Sequence, residues 1–318
     1  MERDLSIDIM KGIGICAVIA GHTFLTSNTI HNLIYSFHMP LFFILSGYFY
    51  KRDNKIIQKM VFDGRRIIIP YILTSLFLII FLSYRSPIPQ LSLKYGLLAI
   101  IWGSGGTHTS LFFSSMPKIG PLWFLPALFW CRTIYNTIVN KCKFRYTISL
   151  CVAVIAILID RYVISLPFCI LPGLSAITFY MIGNYINKHS INKLLIILCC
   201  LCWFIQLHYF GIDMCVCMYK CYPIDILAGC FGTTLIYIIA KCISHHIIGR
   251  VISSLGKMSL TILCFHTLEF FIIDYSTFIP NAQNEVILFL SRSTICILFA
   301  YIWNKGIYVF RKFTTDFR

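Results

Sequence analysis

Long apolar runs separated by short polar stretches dominate the chain, and their lengths are near the ~20 residues a helix needs to cross a bilayer. Such runs lie near 5–24, 31–50, 66–84, 120–139, 146–165, 167–187, 193–210, 223–241, 258–277 and 285–304. Segment 91–102 is apolar but too short to cross, and a loose GSGGTHTS stretch follows it. It reads as an interfacial or re-entrant piece within a long loop. The pattern predicts an all-α membrane protein, a polytopic bundle of about ten transmembrane helices forming one domain over 1–318.

Polar residues inside the runs then locate the chemistry. The first run reads LSIDIMKGIGICAVIAGHTF, with Lys11 and His22 eleven positions apart. At ~100° per residue, eleven steps bring a helix back to within about 20° of its starting direction. The two side chains therefore share one face, roughly 16 Å apart along the axis. Asp8 lies one turn before Lys11, near the same stripe. An ionised lysine inside a span costs on the order of 2.5–3.5 kcal/mol, so such residues mark function. The second run, HNLIYSFHMPLFFILSGYFY, carries His38 and Pro40 in one half and Ser46 and Gly47 in the other. Kinked, polar-bearing helices of this kind border cavities.

Composition sharpens this picture. Hydrophobic residues make up 58% of the 318 positions and charged ones 12%, so lipid must solvate most side chains. The net charge of +15 does not indicate nucleic-acid binding, because the basic residues sit in short loops rather than in one long run. With both termini cytoplasmic, including Arg3 and Arg318, the inner loops gather most of the 27 Lys and Arg, as the positive-inside rule requires. Lys11, Arg132 and Arg292 fall within spans, and Asp225 and Arg292 have no evident partner. On this topology Lys11 lies toward the cytoplasm and His22 toward the outer face. The first run carries Asp8 and Lys11 internally and no A-x-A-like cleavage site, so it reads as a retained span rather than a signal peptide. Most of the fifteen cysteines lie inside apolar runs, where they act as small hydrophobes. Cys215, Cys217 and Cys221 share one loop and can bridge if it faces an oxidising space.

Five stretches together resemble the acyltransferase-3 family of integral membrane acyltransferases. These are Lys11 and His22 with ten residues between, FHMPLFFILSGYF over 37–49, RIIIPY over 66–71, GPLWFL over 120–125 and LGKMSLTILCFH over 255–266. The resemblance implies transfer of an acyl group, commonly acetyl from acetyl-CoA, to a hydroxyl of a surface glycan or lipid-linked oligosaccharide such as O-antigen, capsule or exopolysaccharide. It also implies the bacterial inner membrane, acyl-CoA as co-substrate, no bound cofactor and no metal. A sugar hydroxyl needs a base as it attacks a thioester, and histidine has a suitable pKa. His22 is therefore the expected general base, with an acyl-histidine intermediate as the variant. Lys11 orients the donor or balances charge with Asp8. The cations of the 51–66 loop, Lys59, Arg65 and above all Arg66, are expected to meet the phosphates of coenzyme A. Relatives often carry arginine three positions before Arg66, where this chain has Asp63.

The remaining polar residues admit two readings each. His38 either bonds a neighbouring helix or lines the cavity with Ser46. His266 and Glu269, one turn apart, are either a structural pair or part of the acceptor cavity. Trp123 is an interface anchor or a platform for a sugar. His245 and His246 read as solvated members of a basic loop. A carrier or flippase of a lipid-linked sugar is the rival function; it predicts inverted repeats, which the sequence does not display. A haem-binding bundle would need histidines facing one another at matching depth.

Overall fold

The computed structural model describes residues 4–25, 28–106, 117–162, 165–189, 192–209, 212–277 and 284–316. Arg3, Arg318 and the 107–110 part of the GSGGTHTS stretch lie outside them. Thirteen α-helices run through the described residues: α1 (Leu5–Gly21), α2 (Asn28–Tyr48), α3 (Ile56–Arg85), α4 (Pro89–Trp102), α5 (Phe124–Lys141), α6 (Arg145–Tyr162), α7 (Ile170–Ser175), α8 (Ile177–Ile186), α9 (Lys193–Tyr209), α10 (Tyr222–Ile243), α11 (Ile247–Lys257), α12 (Ser259–Ile272) and α13 (Glu285–Asp316). A two-residue antiparallel pair, β1 (Ile212–Asp213) and β2 (Met218–Tyr219), closes the turn before α10.

Every predicted run contains a helix or a bent pair of helices. Three helices, α3, α10 and α13, are long and apolar enough to cross a membrane, and five spans result if α7–α8 and α11–α12 each count as one. The other helices fall short of that measure for physical reasons. α1 has 17 residues, and α5 and α6 carry charged side chains along 18. Segment 91–102 is helical as α4 and packs on α3, where the Tyr71 hydroxyl donates to the Ile100 carbonyl at 2.6 Å. Large apolar side chains stand exposed along the outer faces, Leu73 at 63% and Ile80 at 63% among them, as expected where lipid is the solvent.

One stretch departs from the sequence reading. Residues 247–257, placed there in a basic loop, form the amphipathic helix α11, which meets α12 at a bend of 71°. Gly249, Ser253 and Gly256 make a narrow buried row along it, while Ile247, Ile248 and Val251 are exposed. The run is too short to register as a span, and basic residues flank it.

The chain forms two compact units, Met1–Ile34 with Leu235–Arg318, and Tyr35–Thr234. In the first, α1 starts from an Asp4 cap whose carboxylate accepts from the Ser6 N–H at 2.9 Å. α1 then lies directly against α11 and also meets α12 and α13. The close approach depends on absent side chains: a Cβ on Gly256 would overlap the Asp8 carbonyl, and one on Gly12 the Ile252 carbonyl. Gly256→Val is expected to force the two helices apart and destabilise the protein by about 1–3 kcal/mol. Thermal unfolding in detergent checks this; an unchanged transition would show that the contact is not tight.

In the second unit α3 packs on α4 and α5, α5 on α7, and α6 on α7 and α8. Gly47 on α2 and Gly183 on α8 let those helices touch backbone to backbone, at Tyr180 and Ile44 respectively. Side-chain bonds tie the rest: Trp203 Nε1 donates to Ser36 Oγ at 2.9 Å, and Gln206 Nε2 to the buried Asp225 at 3.0 Å. Asp225, without an evident partner in the sequence, thus caps a buried amide and also accepts the Cys221 N–H at 3.2 Å. All fifteen cysteines are free thiols, so Cys215, Cys217 and Cys221 form no bridge. The Cys217 thiol instead lies 3.8 Å from Ser175 Oγ.

Candidate active site

Two polar clusters stand out, one in each unit. The first begins where α1 ends. His22 is its C-cap residue, with φ −92° and ψ 2°, so its backbone carbonyl has left the helical ladder. Arg292 on α13 supplies the missing donor, its Nη1 bonding the His22 carbonyl at 2.9 Å. The half-buried His22 ring lies beside His266 on α12, with centroids 5.5 Å apart and planes tilted by 39°, and meets Phe270 edge-on at 5.6 Å.

His266 is fully buried. Its Nδ1–H donates to Glu269 Oε1 at 3.0 Å, the i,i+3 spacing placing both on one face of α12. The other carboxylate oxygen, Oε2, accepts the Tyr275 hydroxyl at 2.6 Å. Arg292 adds its charge from 3.9 Å and lies over the rings of Phe270 and Tyr275, at 5.3 and 5.5 Å. Glu269 is therefore a buried carboxylate with three partners, the arrangement a buried charge requires. Cys296 on α13 completes a buried His–Glu–Cys group whose ligand atoms lie within 4.8 Å of one another. That group is a poor cation site. A guanidinium already meets its carboxylate, and both carboxylate oxygens are engaged by the imidazole and the phenol.

Lys11 and Asp8 lie earlier on α1. The Lys11 ammonium stands 3.9 Å from the buried Asp8 carboxylate, one turn away on the same helix. The i,i+3 pair gives Lys11 a fixed counter-charge within α1.

The second cluster centres on α5 and α3. Arg132 forks onto Asp63, Nη2 to Oδ1 at 2.7 Å and Nε to Oδ2 at 3.1 Å, and its Nη1 donates to Ser46 Oγ on α2 at 3.2 Å. Asp63 stands three positions before Arg66, where the family resemblance leads to the expectation of arginine. Here it faces inward and fixes a different arginine in bidentate geometry. Nearby, the Tyr50 hydroxyl donates to Asn136 Oδ1 at 2.7 Å, while Asn136 and Asn140 both donate to the Asp53 carbonyl, at 3.0 and 2.8 Å. Lys59 lies over the Tyr50 ring at 5.2 Å and donates to the Lys51 carbonyl at 2.8 Å. Arg65 and Arg66 are on the exposed side of α3, Arg66 over Phe62 at 5.3 Å.

Residues 4–304, nearly the whole chain, match the family described as the acyltransferase domain. The chain belongs to the acyltransferase-3 family. No curated protein and no solved structure matches it. An acyltransferase-3 domain with these clusters keeps its titratable groups in defined places. His22, His266 and Glu269 come together; Asp8 and Lys11 form their own pair; Ser46 joins Arg132. His38, in the second unit, is buried with its ring edge-on to Tyr35 at 4.8 Å. Trp123 is buried beside Phe124, and a Cβ on Gly105 would meet its indole. Sequence reasoning missed the roles of Arg132, Arg292 and Tyr275. The available signal was a charge inside a span, since each arginine there demanded a partner from another helix.

Proposed function

We propose that the protein is a membrane O-acetyltransferase that moves an acyl group, acetyl in the simplest case, from cytoplasmic acyl-CoA to a hydroxyl of a surface glycan or its lipid-linked precursor. O-antigen, capsule and exopolysaccharide fit as acceptors, and the bacterial inner membrane as the location. The observation that carries this reading is His22 at the end of α1, its ring beside a carboxylate-held imidazole, in an acyltransferase domain. His22 serves as general base. It takes the hydroxyl proton as the oxygen attacks the thioester carbonyl; the C–O bond forms, the C–S bond breaks, and the thiolate leaves.

The ten-span arrangement with both termini cytoplasmic puts Lys11 nearer the donor side and His22 nearer the acceptor side. Lys59, Arg65 and Arg66 then present cations to the phosphates of coenzyme A. Arg65 and Arg66 are exposed and suit contact with a diffusible ligand. Arg132, held by Asp63, contributes a fixed charge in the same unit.

Composition and NMR analysis of surface glycans from cells with and without the gene tests the reading. The expected result is loss of O-acyl esters at one hydroxyl of one sugar when the gene is removed. Identical glycans, with unmodified glycan or solute accumulating on one side of the membrane instead, would favour a carrier.

A further inference from the structure

His266 holds its two ring nitrogens in different states. Nδ1–H is committed to Glu269, which leaves the Nε2 lone pair as the only proton-accepting position on the neutral ring. Nε2 is buried and has no hydrogen-bond partner among the described residues. A buried polar atom is normally paired, so an unpaired one calls for an explanation. Because His266 is fully buried, a substrate does not reach it directly. The ring beside it is His22, 5.5 Å away between centroids and half-exposed. The other titratable or charged groups around it are Glu269 on its own helix, Tyr275 in the following turn, and Arg292 and Cys296 on α13.

We infer that His266 and Glu269 form a proton relay behind His22, an inference that rests on the acyl-transfer reading of this site. The acceptor hydroxyl gives its proton to His22 while its oxygen bonds the thioester carbon. Rotation of the half-exposed His22 ring passes a proton to His266 Nε2, and the resulting imidazolium is stabilised by the Glu269 carboxylate at 3.0 Å. When the C–S bond breaks, the proton returns through His22 to the thiolate sulfur. The net change is one proton moved from hydroxyl oxygen to sulfur, with no other reactant. His266 and Glu269 are positioning residues in this scheme. Tyr275 and Arg292 hold the Glu269 carboxylate, and Arg292 anchors the His22 backbone to the same group.

The test uses membrane vesicles from cells expressing the full chain, labelled acetyl-CoA as donor probe, and formation of acetyl ester on the endogenous glycan as readout. Glu269→Gln and His266→Gln are expected to lower kcat by about 10- to 100-fold, with KM for acetyl-CoA unchanged and a displaced pH–rate profile. Glu269→Asp should recover part of the rate. Tyr275→Phe removes one hydrogen bond to the carboxylate and leaves the fold intact. It should lower kcat several-fold and displace the same profile, which keeps the relay testable if the larger changes prevent folding. Wild-type kcat and profile in folded Glu269→Gln or in Tyr275→Phe would overturn the relay, as would a loss confined to KM. Full activity in His22→Ala would instead overturn the acyl-transfer reading of the site.

Discussion

Alanine in place of His22 is expected to cut acyl transfer by about 10²- to 10⁴-fold, the range that removal of a positioned general base produces. The protein should still fold. Arg292 bonds the backbone carbonyl of residue 22, not its ring, so the tie between α1 and α13 survives the substitution. What disappears is the imidazole beside His266 and Phe270. The measurement is the acetyl-ester content of the surface glycan in cells expressing the variant at normal levels. Unchanged acetylation would remove His22 from the chemistry. Lys11 provides the contrast on the same helix. Arginine there should retain much of the activity, because the charge opposite Asp8 persists, whereas alanine should remove most of it. Equal losses would mean that Lys11 does more than carry charge.

The second large effect concerns stability. Asp63→Ala leaves the Arg132 guanidinium without its counter-charge inside the α3–α5 contact. Breaking a buried pair from one side costs about 3–5 kcal/mol, and the lower end applies here because the Arg132 side chain keeps 27% of its exposure. Asp63→Asn should fall between wild type and alanine, since the amide oxygen still accepts one of the two bonds. Exchanging the partners, Asp63→Arg with Arg132→Asp, should recover part of the loss. Thermal unfolding of the detergent-purified variants reports all three. An alanine variant that melts with the wild type would reduce the pair to a surface contact.

The family resemblance implies arginine at position 63, and the surroundings of Asp63 account for the carboxylate found there. The position facing Arg132 needs a carboxylate, and arginine there would place two guanidinium groups against each other. The exposed cations, Arg65 and Arg66, lie on the other side of the same helix. A one-dimensional motif does not record that inward and outward faces alternate within a single turn.

Much of the architecture was legible in the order of residues. Each apolar run became a helix because a backbone in lipid must satisfy its own hydrogen bonds, whatever its neighbours. The short run at 91–102 stayed a packed helix, α4, for want of length. The Lys11–His22 spacing and the His266–Glu269 turn are local regularities, which helical geometry alone fixes. α11 escaped because its eleven residues are too few and too basic to register as a span. What only the tertiary structure decided are the pairings across long separations. Arg292 reaches a carbonyl 270 positions away, and Arg132 a carboxylate 69 positions away. The sequence by itself determined which side chains needed a partner, through the cost of burying charge. Which partner each received depended on how helices far apart in the chain pack together, and no local pattern carries that information.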